Sequence, residues 1–191
     1  MDIQRYRIRP QEKVDLNKCP TTRDKNADRK QAEKEMMPAN LEQMAALQEK
    51  LYAEDRYALL VVLQAMDAAG KDGAIKHVMR GLNPQGVKVE SFKQPSSEEL
   101  DRDYLWRINR ALPRRGEIGI FNRSHYEEVI VTRVHNLVQN QQIPKELVTN
   151  DIWLERYRQM TDYERYLYEN GTRVVKIFLH VSRDEQRDRL L

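Results

Sequence analysis

The chain has 191 residues, 33% of them charged and 40% hydrophobic, with a net charge of +3, which suits a single domain with a central core. No apolar run approaches the roughly 18 residues needed to span a bilayer, and the start, Met1-Asp-Ile-Gln-Arg-Tyr-Arg, has no hydrophobic signal segment, so a cytoplasmic protein without a membrane partner is expected. One cysteine, Cys19, fits a reducing compartment. Ten Lys or Arg against seven Asp or Glu fall in residues 1–35, leaving 23 against 23 elsewhere; that balance argues against a nucleic-acid surface.

Residues 1–37 are polar, carry Pro10 and Pro20 and show no sustained period. They read as an extended basic arm, anchored by Tyr6 and Ile8, ahead of a domain over 38–191. From Pro38 a packing helix is expected, with Leu41, Met44, Leu47 and Leu51 at helical spacing. The run Tyr57-Ala-Leu-Leu-Val-Val-Leu63 is apolar without alternation, as a strand buried on both faces requires. Beyond it, Ile75, Val78, Met79 and Leu82 predict a helix that begins near Lys71. The intervening loop therefore faces the unsatisfied N–H groups of a helix start, which is an anion site before any side chain is counted.

Against the phosphate-loop pattern Gly-x4-Gly-Lys-Ser/Thr, the stretch Ala65-Met-Asp-Ala-Ala-Gly-Lys-Asp72 keeps the second glycine and the lysine. It has Ala65 for the first glycine and Asp72 for the hydroxyl residue that normally holds magnesium. Asp67 and Asp72 offer carboxylate oxygens in its place, of the hard kind magnesium prefers. Ala69, Gly70, Lys71, Asp72 and Gly73 are the candidate phosphate ligands. The alternative is a polar turn capped by an Asp.

Further on, Asn83-Pro-Gln-Gly86 predicts a turn and Val87–Phe92 a strand. Ser96 and Glu99 form a capping box for a helix that buries Leu100, Tyr104, Leu105, Ile108 and Leu112. Arginines 107, 110, 114, 115 and 123 form a cluster; of these Arg107 and Arg114, with Lys93, are nucleotide candidates, although a helix end accounts for several of them. Gly116–Phe121 is a short strand that delivers Asn122-Arg-Ser-His-Tyr-Glu-Glu128 to the carboxyl edge of the sheet, where ligands bind in open parallel sheets. The usual acidic residue there is Asn122, so acidic work shifts to Glu127 or Glu128, while Arg123 offers a planar fork to a phosphoryl group. Residues 144–170 predict a helix whose Leu147, Trp153, Leu154, Tyr157, Met160 and Leu167 are core. Val174–Val181 predicts another buried strand, and Ser182 with Glu185 a second capping box. The four histidines are too scattered for a metal cluster.

On Met66–Gly73, Ser91–Ser96, Tyr104–Arg107, Phe121–Glu128 and Phe178–Ser182, in that order, the chain resembles the polyphosphate kinase 2 family over residues 38–191. The resemblance implies a three-layer αβα P-loop kinase fold with a mainly parallel sheet, similar to thymidylate kinase. It implies phosphoryl transfer between inorganic polyphosphate and AMP/ADP or GMP/GDP with magnesium, or manganese in its place. Asp67 would hold the metal, Lys71 and the Gly70–Gly73 backbone the phosphates, and Arg123 the transferring group. Asn122 departs from the Asp of much of the family and resembles the class that uses both nucleoside mono- and diphosphates, with Glu127 controlling metal or acceptor. A homo-oligomer, dimer or tetramer, is expected, as is a basic helical lid beyond Leu191, where the chain stops short of one more element. An ATP-dependent nucleotide kinase and a non-catalytic P-loop binding module are the competing readings.

Overall fold

Four apolar segments pair as parallel strands in the computed structural model, which describes residues 3–22 and 32–191. They are β1 (Ala58–Ala65), β2 (Val87–Ser91), β3 (Ile118–Asn122) and β4 (Thr172–Leu179), in the order β2-β3-β1-β4. Side chains alternate across a strand, so β1 feeds two cores. Leu60 and Val62 meet Phe92, Ile108, Phe121 and Leu167 on one face. Val61 and Leu63 meet Leu82, Ile118 and Ile120 on the other, where Met44, Leu51, Ile75 and Met79 pack against them. Burial on both faces is why β1 shows no polar alternation.

The helices that supply these contacts make the outer layers. Met44 and Leu51 belong to α1 (Met37–Glu54), with Pro38 in its first turn, and Ile75 to α2 (Lys71–Val78). On the opposite face, α4 (Trp106–Arg110) supplies Ile108 and α6 (Ile152–Glu169) supplies Leu167. The short α3 (Ser97–Leu100) and α5 (Val131–Val134) lie in connections, and α7 (Arg183–Leu190) follows β4. The expected three-layer αβα arrangement with a parallel sheet is therefore present. No helix among the described residues is long and apolar enough to cross a membrane.

Several local expectations fail for identifiable reasons. The helix expected from Leu100 to Leu112 is broken, because Asp103 Oδ1 accepts the Leu105 N–H at 2.9 Å and so competes with helical bonding. The 144–170 helix likewise starts only at Ile152, after Thr149 Oγ1 accepts the Asp151 N–H at 3.2 Å. Leu147 and Leu154 are then 53% and 67% exposed, not core. β4 lies at a sheet edge and leaves Val175, Ile177 and Phe178 at 40–47% exposure, so it is not buried as expected. Tyr6 and Ile8, at 53% and 56%, do not anchor the arm; residues 23–31 of that arm lie outside the described residues.

The register sets the site. Leu63 of β1 and Ser91 of β2 both stand opposite Asn122, so β2 and β3 end level and β1 runs two residues past them. Their loops then open on one edge.

Candidate active site

Two left-handed turns shape the loop after β1. Gly70 caps α2 at φ 92° and ψ 27°, while Ala68 has φ 59°. A Cβ is disfavoured in this region, so glycine is the suitable cap and Ala68 is strained. Gly70 O accepts the Ala74 N–H at 2.9 Å to open the helix, leaving the first-turn N–H groups for an anion. Lys71 stretches back across this mouth and donates to Ala65 O at 3.2 Å and Met66 O at 3.4 Å.

The end of β3 faces the same mouth. The Arg123 N–H donates to Leu63 O at 3.1 Å, so the chain stays paired with β1 one residue past β3, with Arg123 at φ 67°. From there its guanidinium reaches Asp67 Oδ1 at 3.2 Å and lies 3.9 Å from Glu127 Oε2. Asn122 Nδ2 donates to Asp72 Oδ1 at 2.6 Å, while Asn122 Oδ1 is buried without a partner. Beneath them, Gln64 sits against Ser124 Oγ at 3.0 Å. Oriented to suit its neighbours, its amide also donates to Glu127 Oε1 at 3.1 Å. Asp67, Lys71, Asp72, Asn122, Arg123 and Glu127 are thus brought together by two strand ends and one helix start.

Glu128, next along the chain from Glu127, lines a cavity of about 480 Å³ together with Pro95, Tyr104, Arg107, Gln141 and Arg156, among others. Glu128 is 8% exposed and accepts from Gln141 Nε2 at 2.8 Å; Arg156 in turn donates to Gln141 Oε1 at 3.1 Å. The Arg156 guanidinium stacks 4.0 Å over the Tyr104 ring. Burial, only partly opposed by Arg156, pushes the Tyr104 hydroxyl up to about 12. It stays a neutral donor, bonded to Gln159 Oε1 at 3.1 Å. Arg107 donates to Lys93 O at 2.8 Å and so ties the end of β2 to the cavity wall.

Arg114 stands apart from the other candidates. It opens the Arg114–Glu117 turn, where the Gly116 N–H donates to Tyr57 O just before β1 begins. That is the amino edge of the sheet, opposite the loop. Its neighbour Arg115 is a brace there, bonded to Arg56 O at 2.7 Å and Asn170 O at 3.1 Å.

Two residues unnoticed in the sequence do reach the loop. Gln186 Nε2 donates to Asp67 O at 2.8 Å and Arg189 to Ala68 O at 3.1 Å, with Arg189 steadied by Glu185 Oε1 at 2.7 Å. Ser182 caps α7 through the Glu185 N–H, but the reciprocal bond of the expected capping box does not form. The Glu185 carboxylate serves Arg189, and this i, i+4 pairing was the available signal.

Among the described residues no group of three His, Cys, Asp or Glu forms a metal cage. Magnesium is commonly held by one or two protein oxygens together with substrate phosphates. The exposed Asp67 carboxylate and the unpartnered Asn122 Oδ1 fit such a hard-oxygen set.

The polyphosphate kinase 2 family profile matches residues 24–191. The chain belongs to this family. Over 188 residues it is 50% identical to an ADP-polyphosphate phosphotransferase of Rhodopseudomonas palustris, covering 97% of this chain and 65% of that protein. It is 47% identical to an AMP/ADP-polyphosphate phosphotransferase of Meiothermus ruber, covering 98% and 67%. The crystal structure of a polyphosphate kinase 2 from Arthrobacter aurescens superposes with a TM-score of 0.82 at 37% identity, covering 93% of this chain and 61% of that one. The chain thus spans about two thirds of the length of these curated relatives.

Proposed function

We propose that this chain carries the catalytic core of a phosphotransferase that moves a phosphoryl group between inorganic polyphosphate and a nucleoside mono- or diphosphate. The observation that carries the reading is the meeting of Arg123 and Asp67, 3.2 Å apart, at the mouth of a helix-capped phosphate loop. Phosphoryl transfer needs little covalent help from a protein and much positioning and charge neutralisation, and this site is built from such groups.

In the forward direction, a terminal phosphate oxygen of the nucleotide attacks the end phosphorus of polyphosphate. One P–O bond forms to the nucleotide, and the anhydride bond to the shortened polyphosphate breaks. Lys71, now on the loop carbonyls, and the N–H groups of the α2 start hold the phosphates. Arg123 neutralises charge as it spreads over the transferring oxygens. Asp67 and Asn122 would hold a divalent cation, magnesium or manganese, which would supply positive charge to offset that of the phosphates. Glu127, held by Gln64 and Arg123, sets the position of Arg123 and thereby of the acceptor. The cavity walled by Tyr104, Arg107 and Arg156 supplies room, a stacking surface and polar edges for the nucleoside. Asp67 is not needed as a nucleophile, because the acceptor oxygen already carries charge.

Donor choice tests the reading. Purified protein with magnesium is given polyphosphate or ATP as donor and AMP or ADP as acceptor, and new nucleotide is quantified by chromatography. Formation of ADP or ATP from polyphosphate is expected; transfer from ATP alone would return the chain to ordinary nucleotide kinases.

A further inference from the structure

Behind the Asn122–Glu128 segment lies a charged cluster that the transfer chemistry does not use. Glu164 of α6 is held at both carboxylate oxygens: Oε1 accepts from Tyr126 Oη at 2.6 Å and Oε2 from Lys176 Nζ at 2.6 Å. Lys176, on β4, also donates to Tyr126 Oη at 3.0 Å, so the three groups close a ring. His125, buried to 2% exposure, places Nε2 3.6 Å from Glu164 Oε1 and packs its ring on Tyr126 and edge-on to Tyr163. Burial alone would raise the Glu164 carboxyl, but His125 beside it and the donors Lys176 and Tyr126 outweigh it and hold it down at about 2. Burial and Glu164 together push the Tyr126 hydroxyl up to about 12. Lys176 is raised because Glu164 and Tyr126 outweigh its own burial. The ring therefore keeps one protonation pattern across the neutral range.

Its connection to the loop is direct. Tyr126 lies in the 3-10 turn His125–Glu128, whose cap Ser124 Oγ accepts the Tyr126 N–H at 3.2 Å and contacts Gln64 at the end of β1. Arg123 sits one residue before this cap in a left-handed backbone conformation, which persists only where its surroundings over-determine it. The tether from Glu164 through Tyr126 to the turn supplies that determination from the far side.

We infer that Glu164, with Tyr126 and Lys176, is a positioning residue that locks the Ser124-capped turn and so aims the Arg123 guanidinium at the phosphate mouth. The inference rests on the transfer reading above. An aim lost by about 1 Å costs up to about a hundredfold in rate, and outer-shell partners of functional groups commonly cost tenfold or more when removed.

Tyr126→Phe removes a single oxygen and leaves the ring in place, and Glu164→Gln keeps the shape of the acceptor. For either variant kcat should fall about tenfold to a hundredfold with KM little changed and the protein still folded at the assay temperature. In an Arg123→Lys background the same changes should cost nothing further, because the aimed fork is already gone. Nuclear magnetic resonance supplies a readout independent of turnover: the Arg123 Nε–H signal, ordered in the wild type, should broaden or move toward the free-arginine position in Tyr126→Phe. Equal losses in both Arg123 backgrounds, an unchanged kcat in Tyr126→Phe, or an unmoved Arg123 signal would overturn the inference. Absent turnover of polyphosphate by wild-type protein would instead strike the functional reading, with the Arg123 signal still deciding the positioning role.

Discussion

Arg123 combines a strained backbone with a functional side chain, and the two are separable by substitution. At φ 67° a residue with a Cβ carries a penalty of about 1–2 kcal/mol that glycine avoids. Elsewhere glycine is less stable than alanine by about 0.5–1 kcal/mol, through its freer unfolded chain. Arg123→Gly and Arg123→Ala both lose the pairs to Asp67 and Glu127, and with Arg123 43% exposed these are worth no more than about 1 kcal/mol. The usual order should therefore reverse, with the glycine variant more stable by about 0.5–1 kcal/mol, or about 2 °C in melting midpoint for a domain of this size. Both should lose transfer by about a thousandfold or more, the scale on which an arginine serves a transferring phosphoryl group. Paired thermal melts and transfer assays on the two variants decide it. An alanine variant as stable as the glycine variant would refute the strain argument, and near-wild-type turnover by either would refute the role of the side chain.

Gly86 offers a test of the fold. A Cβ there would lie 2.7 Å from Nε2 of Gln48, which is buried and bonded both ways to the Asn83 backbone at 2.8 and 2.9 Å. Gly86→Ala should cost about 2–3 kcal/mol in urea unfolding by breaking that pair, and an unchanged midpoint would show that Gln48 can step aside. The Glu164 carboxyl is held at about 2 against an ordinary 4.5. Its contribution, on the order of 3 kcal/mol, is complete above pH 4.5 and disappears as the pH falls towards 2. Stability of Glu164→Gln should accordingly fall less steeply over that window; parallel curves for the two proteins would contradict the shift. Asn122→Asp would set two carboxylates at the 2.6 Å contact now made with Asp72, so one must take up a proton or Asp72 must turn away. The ratio of AMP to ADP turnover should change with it, and an identical ratio would remove Asn122 from acceptor control.

The parts of the site that were legible in the sequence are local. A buried strand followed by Gly70-Lys71 and a helical period is a complete physical statement within about 25 residues, and the Asn122–Glu128 segment follows a strand end in the same way. What escaped notice depends on contacts far along the chain. Gln186 and Arg189 reach the loop from about 120 residues away. Glu164 and Lys176 look like ordinary helix and strand charges until Tyr126 is brought to them. β4 reads as buried because its residues are apolar, yet burial depends on sheet order, which no single strand encodes. Spacing along one helix groups Arg114 with Arg107, but that helix ends at Arg110, and the chain then carries Arg114 to the amino edge of the sheet.

Phosphoryl transfer from polyphosphate at this loop, beneath Arg123, is the step to follow. Phosphorus magnetic resonance on a single tube of protein, magnesium, polyphosphate and AMP would follow it directly. Nucleotide β-phosphate signal should grow as polyphosphate chain-interior signal declines, and both changes should stop in Lys71→Ala. Growth of inorganic phosphate in place of nucleotide β-phosphate, or no change in either signal with folded wild-type protein, would contradict it.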